Sequence, residues 1–218
     1  MPVDTGPPAI RSNSCQSHSR YRDNSYFVFN SDFCISPGQG WSEGHNEAAY
    51  NTLRANTEPQ YMYQRLWAER LWNLPHCWQL VTRGTAQAAS DRLLFSEMLG
   101  LGGYDSIRGY DQRTLNADHG WFTSFELGPR PYEFCCRGPS QFRWFGFTDV
   151  GTAYIINPLP GELDDQPLVS VGLGMRLAVS NRFTLRLDLA EPLENVPGLD
   201  TERTVHLGMV YRMGGPRY

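Results

Sequence analysis

A single arginine inside a glycine-rich stretch is the side chain of this sequence most able to make a specific polar contact. Arg108 lies near the end of the segment LGLGGYDSIRGY, residues 99–110, which also contains Gly100, Gly102, Gly103 and Gly109. Glycine permits backbone angles and close approaches that a side chain would block. A long insert of this kind between strands is usually functional or disordered, so both a floppy surface loop and a functional loop stay open.

The other reactive side chains do not form a recognisable catalytic or metal site. No serine or cysteine sits in a nucleophile elbow, and the cysteines lack the spacing of a zinc site. We therefore expect no enzymatic activity, no metal and no cofactor. The histidines considered fall in different segments, and the five cysteines leave the compartment open: His45, His76, His119 and His206; Cys15, Cys34, Cys77, Cys135 and Cys136.

Composition excludes some classes of function. The 218 residues carry a net charge of −4 with no basic run, which argues against nucleic acid as a partner. No apolar stretch reaches the ~18 residues of a transmembrane helix, but a transmembrane barrel alternates apolar and polar residues and has an ordinary mean hydropathy. The N-terminus lacks a signal-peptide pattern, so we expect either a cytosolic protein or a gene that starts further upstream.

Alternation of apolar and polar residues predicts about eight strands. Residues 1–24 are predicted to be disordered or a truncated remnant, residues 25–213 to form the β-domain, and residues 214–218 a tail. A short helix is predicted over 47–54, and 61–72 is an aromatic and charged run with poor alternation. The strand-like segments are 26–35, 78–87, 120–127, 142–154, 169–179, 183–189 and 205–213.

The charges on the polar strand faces and the alternation of long and short connections favour a membrane barrel over a soluble β-sandwich. Short turns on one side of the membrane and long loops on the other are typical of outer-membrane barrels. Strands of roughly ten residues suffice to cross a bilayer when tilted. The charged polar-face residues are Glu126, Arg176, Arg186, Asp188 and Arg212.

The segment from Gln87 to Tyr110 resembles the haemolysin-activator type of outer-membrane transporter, the pores of two-partner secretion. The family pattern is Gln-x-Ala-Ser, then Leu-x-x-Ser-Glu and Leu-Gly-Gly, then Ser-[Val/Ile]-Arg-Gly-Tyr. Downstream, residues 146–151 (GFTDVG) resemble the Phe-x-Asp-x-Gly strand of the wider superfamily, which includes the barrel-assembly insertases. The resemblance covers roughly residues 25–213.

The resemblance implies an all-β, antiparallel transmembrane β-barrel, with about eight strands here corresponding to strands nine to sixteen of sixteen. The glycine-rich loop is expected to fold into the lumen, where Arg108 would contact Asp149. This predicted loop lock comprises Arg108, Gly109, Tyr110, Phe147, Asp149 and Gly151, with Gly100, Gly102 and Gly103 shaping the loop backbone. The predicted lumen-facing residues are Arg83, Glu126, Arg176, Arg186 and Asp188.

The implied function is a protein translocation pore that exports an unfolded β-helical exoprotein of haemolysin or adhesin type. Its expected partners are that exoprotein, outer-membrane lipid, and a missing N-terminal half with periplasmic polypeptide-binding domains. The expected location is the bacterial outer membrane, if the complete gene supplies a signal peptide. Two alternatives stay open: an insertase-type assembly component, and a non-transporting surface β-domain that binds a partner. An eight-stranded barrel closed on itself would have to expel the loop, because its interior is just filled by side chains.

Overall fold

A computed structural model describes residues 25–38, 46–135, 139–162, 164–180, 182–199 and 202–213. The predicted N-terminal remnant (1–24) and tail (214–218) lie outside the described residues. The predicted helix is present as α1 (Glu47–Leu53), and its first turn is capped by the Asn46 side chain, which accepts a hydrogen bond from the Ala49 amide at 2.8 Å.

Antiparallel strands make up nearly all the regular structure. The run at 61–72 forms a full strand. Its alternation in the sequence is poor because both faces of this strand carry aromatic and charged side chains. The strands are β1 (Tyr26–Pro37), β2 (Gln60–Asn73), β3 (Trp78–Ala89), β4 (Leu99–Leu101), β5 (Leu115–Ala117), β6 (His119–Pro129), β7 (Tyr132–Cys135), β8 (Pro139–Tyr154), β9 (Gln166–Val179), β10 (Phe183–Pro192) and β11 (Thr204–Tyr211).

The main sheet is a meander in the order β1-β2-β3-β6-β8-β9-β10-β11, with short β7 added beside β8. This confirms the predicted antiparallel all-β class and its eight long strands. Among the described residues β1 and β11 do not pair with each other, so the sheet is open. The open sheet keeps room for the glycine-rich segment on one of its faces.

The two faces of the sheet differ sharply in chemistry. The outer face, on which no other segment of the described residues packs, is covered by exposed apolar side chains such as Phe29, Trp121, Leu173 and Leu207. The inner face carries charged side chains, among them Glu126 and Asp149, which are buried. Strict alternation along each strand sends neighbouring residues to opposite faces, and this produces the split.

The segment between β3 and β6 packs against the inner face instead of extending from the surface. Its only strands are the three-residue β4 and β5, which form a small hairpin. Leu101 and Ile107 are fully buried in a cluster that includes Ala153 of β8 and Leu168 of β9. Burial of this kind overturns the alternative of a floppy surface loop, because each apolar side chain removed from water stabilises the packed position by about 1.5–3 kcal/mol.

Cys77, at the short 3-10 turn Pro75–Cys77 between β2 and β3, is disulfide-bonded, whereas Cys34 of β1 is a free thiol. The described residues contain no helix that is both long enough and apolar enough to cross a membrane. They also contain no cluster of three or more His, Cys, Asp or Glu side chains suited to a metal ion.

Candidate functional site: a loop held on the inner face

The acceptor for Arg108 is built by the register of three strands. Asp149 of β8 lies directly opposite Ser124 of β6 on one side and Ser170 of β9 on the other. Glu126 is two residues along β6 from Ser124, so its side chain points to the same face. The sheet therefore presents two carboxylates and two serine hydroxyls within one small area of its inner face.

Arg108 uses its guanidinium and its backbone amide to bind this area. Nε and Nη2 donate to the two oxygens of Asp149 at 2.7 Å each, and the Arg108 amide donates to Asp149 Oδ2 at 3.0 Å. Nη1 donates to Glu126 Oε1 at 3.0 Å, and Nη2 also donates to Ser124 Oγ at 2.8 Å. The side chain of Arg108 is 4% exposed and that of Asp149 is 0% exposed. Such a buried bidentate pair fixes the loop in position and orientation. We call Arg108, Ser124, Glu126 and Asp149 the wall clasp.

An aromatic ring supports the guanidinium from one side. The Arg108 Cζ lies 3.5 Å from the ring centroid of Phe147, which is two residues before Asp149 on the same face of β8. A cation over an aromatic face is attracted by the ring quadrupole, more so when water is excluded. A Cβ on Gly172, opposite Phe147 on β9, would stand 2.4 Å from the ring's Cζ. Glycine at this position therefore leaves space for the ring.

The two residues after Arg108 continue the contact across β9 and β10. Gly109 has φ +97°, and a Cβ there would lie 3.1 Å from Ser170 Cβ and 3.2 Å from the Pro192 nitrogen. The Tyr110 hydroxyl oxygen is 2.9 Å from the carbonyl oxygens of both Val169 and Glu194 and accepts hydrogen bonds from both of their amides. The loop thus spans the inner face from β6 to the end of β10.

The remaining glycines of the predicted lock have different structural roles. Gly102 and Gly103 both have positive φ, near +100°, and turn the chain after β4. Gly100 lies within extended β4. Gly151 of β8 is close to the loop, because a Cβ there would stand 2.8 Å from Ile107 Cδ1.

The five predicted lumen-facing residues all lie on the inner face, where they form a continuous ionic network. Arg83 of β3 donates to Glu126 Oε1 at 3.0 Å. Arg176 and Arg186 donate to the two oxygens of Asp188 at 2.8 and 2.6 Å. Asp188 Oδ1 is also 3.5 Å from Arg108 Nη1. The network therefore connects the wall clasp to strands on both sides of it.

Arg143 of β8 is an inner-face residue that sequence reasoning missed. Arg143 Nη1 donates to Glu126 Oε2 at 3.4 Å, and its Cζ stands 4.7 Å from the ring centroid of Phe145. The sequence did contain a signal for it, because Arg143 is separated from Phe147 and Asp149 by even numbers of residues on one strand. Alternation alone assigns all three to one face.

A second buried cluster, also missed, joins the long connections to each other. Asp118, which directly precedes β6, is fully buried. It accepts hydrogen bonds from Arg54 Nη1 at 2.6 Å and from the amides of Leu93 and Ile156 at 2.8 and 3.0 Å. These three donors come from the β1–β2, β3–β4 and β8–β9 connections, so one carboxylate ties three connections to β6.

Glu162, in the β8–β9 connection, is the second carboxylate of this cluster. Its Oε1 and Oε2 accept hydrogen bonds from Arg92 at 2.8 and 3.0 Å, and Arg54 Nη2 lies 3.8 Å from Oε1. Hydrogen bonding from Arg92 holds the pKa of the Glu162 carboxyl below its usual value, despite an opposing effect of burial. We call Arg54, Arg92, Asp118 and Glu162 the loop latch.

Both clusters are suited to holding segments of chain in place. Every charged group of the wall clasp and the loop latch is engaged by an opposite charge or by backbone groups. An ion pair that is this well hydrogen-bonded positions structure, and losing one partner leaves an uncompensated buried charge. The two clusters therefore position segments of the chain by fixed charges.

Comparison with known proteins agrees with this architecture. The chain matches the family model described as haemolysin secretion/activation protein ShlB/FhaC/HecB over residues 13–177. Among solved structures it is similar to CdiB from Escherichia coli, with a TM-score of 0.66 and 20% sequence identity. The match covers 85% of this chain and 33% of the CdiB chain, so the chain spans about a third of that protein's length. The search of curated proteins found no match.

The family match includes both the glycine-rich segment and Asp149, and the structural match has the same strand-rich architecture. Family membership also places the chain in the bacterial outer membrane. The resemblance inferred from the motifs is thus confirmed: the chain belongs to the haemolysin secretion/activation protein family of two-partner secretion.

Proposed function

We propose that the chain forms part of the wall of a protein-conducting channel, through which an unfolded exoprotein leaves the cell. The observation that best supports this proposal is that the glycine-rich loop is bound to a charged inner face through Arg108 and Asp149. An apolar outer face with a polar inner face is the arrangement of a membrane barrel with a hydrated lumen. In this proposal the inner face acts on the exoprotein through fixed charges and hydrogen bonds.

In this proposal the wall clasp sets the width of the channel. The loop occupies the inner face from β6 to β10, so its position determines how much of the lumen is open. A bidentate arginine–carboxylate pair has one favoured geometry, and it therefore holds the loop in one place while a polypeptide passes. The exoprotein would be of the β-helical haemolysin or adhesin type.

The proposal also requires further strands to complete the channel. The eight long strands form an open sheet, and the β1 and β11 edges present backbone groups without partners among the described residues. Unpaired edges in lipid are strongly unfavourable, because no water satisfies their N–H and C=O groups. We propose that a further set of strands, with associated periplasmic polypeptide-binding domains, supplies the other part of the barrel.

Substitution of the acceptor tests this function in a complete transporter that contains this segment. Asp149→Ala leaves Arg108 buried without its bidentate partner, and we expect export of the exoprotein into the medium to fall by roughly tenfold or more. Asp149→Asn keeps the shape and one acceptor oxygen, so its loss should be smaller. The measurement is the amount of exoprotein in the medium relative to the cell, together with heat-modifiable migration of the barrel as a measure of its assembly.

Asp111→Asn provides the matched control, since Asp111 is an exposed acid of the same loop. Normal export by Asp149→Ala, with the barrel assembled, would refute the proposal. Normal export combined with defective assembly of other outer-membrane barrels would instead identify an insertase-type component.

A further inference from the structure

Three arginines lie side by side on the inner face, on the side of the wall clasp that is nearer the short turns. Arg143 of β8 is directly opposite Arg176 of β9, which is directly opposite Arg186 of β10. We call these three residues the arginine row. Like charges opposite each other on neighbouring strands are destabilising. An anion that binds the row would therefore reduce the electrostatic repulsion among its arginines.

The carboxylates around the row do not balance its members equally. Asp188 accepts hydrogen bonds from Arg176 and Arg186 at 2.8 and 2.6 Å. Among the described residues, the one carboxylate that accepts from Arg143 is Glu126, at 3.4 Å, and it already accepts shorter hydrogen bonds from Arg83 and Arg108. Arg143 is therefore the underpaired member of the row.

The guanidinium of Arg143 has donors to spare. Its side chain is 14% exposed, and its Nε and Nη2 are buried from solvent with no hydrogen-bond partner among the residues that the structure describes, so the guanidinium must turn toward the lumen to offer them to a ligand. The ring of Phe145 lies under both Arg143 and Arg176, with centroid distances of 4.7 and 4.9 Å from the two Cζ atoms. Two adjacent donors on a planar, supported guanidinium match the two oxygens of a carboxylate.

The position of the row indicates the source of that carboxylate. Arg143 precedes Asp149 by six residues on β8, about 20 Å at the rise of an extended strand. The short connections at 74–77 and 180–182 are at the Arg143 end, and the long connections are at the other. Short turns face the periplasm in outer-membrane barrels, so a polypeptide that enters from the periplasm meets the row before it reaches the wall clasp.

We propose that the arginine row is a binding site for acidic side chains of an extended polypeptide in transit, with Arg143 as the main contact. This inference rests on the proposed function for its ligand and goes beyond it in naming a subsite and a chemical preference. Binding by one charge-assisted pair at a time is strong enough to retain an acidic segment and weak enough to release it.

Peptide binding to a complete transporter that contains this segment, purified in detergent micelles, tests the site. The probes are two fluorescently labelled extended peptides of equal length, one alternating Glu and Ser and the other alternating Gln and Ser. We expect the Glu peptide to bind roughly tenfold more tightly in fluorescence anisotropy, and Arg143→Gln to remove most of that preference, since a hydrogen-bonded charge pair accounts for about a tenfold change. Arg203→Gln is the matched control, because it removes the same charge from a side chain that is 83% exposed.

Several outcomes would overturn the inference. Equal affinity of the unaltered protein for the Glu and Gln peptides would overturn it, and this comparison does not depend on whether the variants fold. Equal losses in Arg143→Gln and Arg203→Gln, in samples with unchanged far-UV circular dichroism, would show a general charge effect. Complete competition by inorganic phosphate at the same concentration as the peptide would show a small-anion site. Peptide binding is measured without export, so a failure of this inference is separate from a failure of the Asp149 experiment.

Discussion

The wall clasp and the loop latch are both buried arginine–carboxylate clusters, yet they connect different kinds of structure. In the clasp, one arginine from a loop binds side chains fixed on β6 and β8. In the latch, Asp118 and Glu162 bind two arginines and several backbone groups that all belong to connections between strands. The clasp therefore positions a loop on a rigid wall, whereas the latch positions loops against each other.

This difference predicts different consequences when each cluster is broken. A side chain on a hydrogen-bonded strand cannot follow a loop that moves away, so loss of the clasp leaves buried charges behind. Connections can move and rehydrate together, because fewer neighbouring strands constrain them. We therefore expect the clasp to govern global stability and the latch to govern local opening.

The largest effect is expected for Arg108→Ala. The substitution leaves Asp149 buried without its cation, while Glu126 keeps Arg83 and Arg143, and breaking a buried pair in this way costs about 3–5 kcal/mol. The free energy of unfolding, measured by urea titration of a complete transporter that contains this segment, in detergent micelles, should fall by that amount. Arg203→Ala should change it by less than about 1 kcal/mol, because exposed pairs contribute little. Equal losses of unfolding free energy in Arg108→Ala and Arg203→Ala would show that the wall clasp contributes no more to stability than an exposed ion pair.

A smaller effect on global stability is expected for Asp118→Ala, with a larger effect on loop protection. Six residues of β6, about 20 Å, separate Asp118 from Ser124 of the clasp. Sites that far apart without shared partners are additive within about 0.5 kcal/mol. The Arg108→Ala/Asp118→Ala double variant should therefore lose the sum of the two single losses in the same urea titration. If the loss in the double variant differs from the sum of the single losses by well over about 0.5 kcal/mol, the two clusters act as one.

The smallest effect concerns the pH dependence of the latch. The pKa of Glu162 lies below its usual value, so its stabilising contribution is present above the unfolded value of about 4.5 and is lost as pH falls through the lowered pKa. Amide hydrogen exchange in the 155–162 connection should speed up in acid more in the unaltered chain than in Glu162→Gln. An identical acid response in the two would show that Glu162 does not control opening.

The sequence predicted the clasp far better than the latch. Asp149 could be paired with Arg108 because both lie in ordered motifs, and Glu126 could be placed on the same face because strands alternate. Residues of the latch that contact each other are up to 108 positions apart and lie in connections with no periodicity. No spacing rule brings Arg92 near Glu162, since the contact depends on how two long connections pack.

Strand reasoning was also incomplete where both faces of a strand carry mixed side chains. On β2, Arg65 and Glu69 lie on the inner face, but Arg70 lies on the outer face, where its Cζ stands 4.6 Å from the Trp72 ring centroid. The Trp72 ring covers Arg70 on the outer face. Charged residues therefore occur on both faces of β2, although the strand itself is regular. Arg143 shows the opposite case, in which regular alternation was present and would have identified the residue.

The meander topology has a consequence for the order of folding. Every long strand pairs with its neighbour along the main sheet, so pairing can spread along the sheet without long-range closure. Arg108, by contrast, is 41 residues from Asp149 and needs Ser124 and Asp149 already opposite each other on β6 and β8. Loop closure over such a distance is slow relative to local pairing, so docking of the glycine-rich segment is expected to follow formation of the β6–β8 pair. Assembly of the wall thus creates the receptor for its own loop.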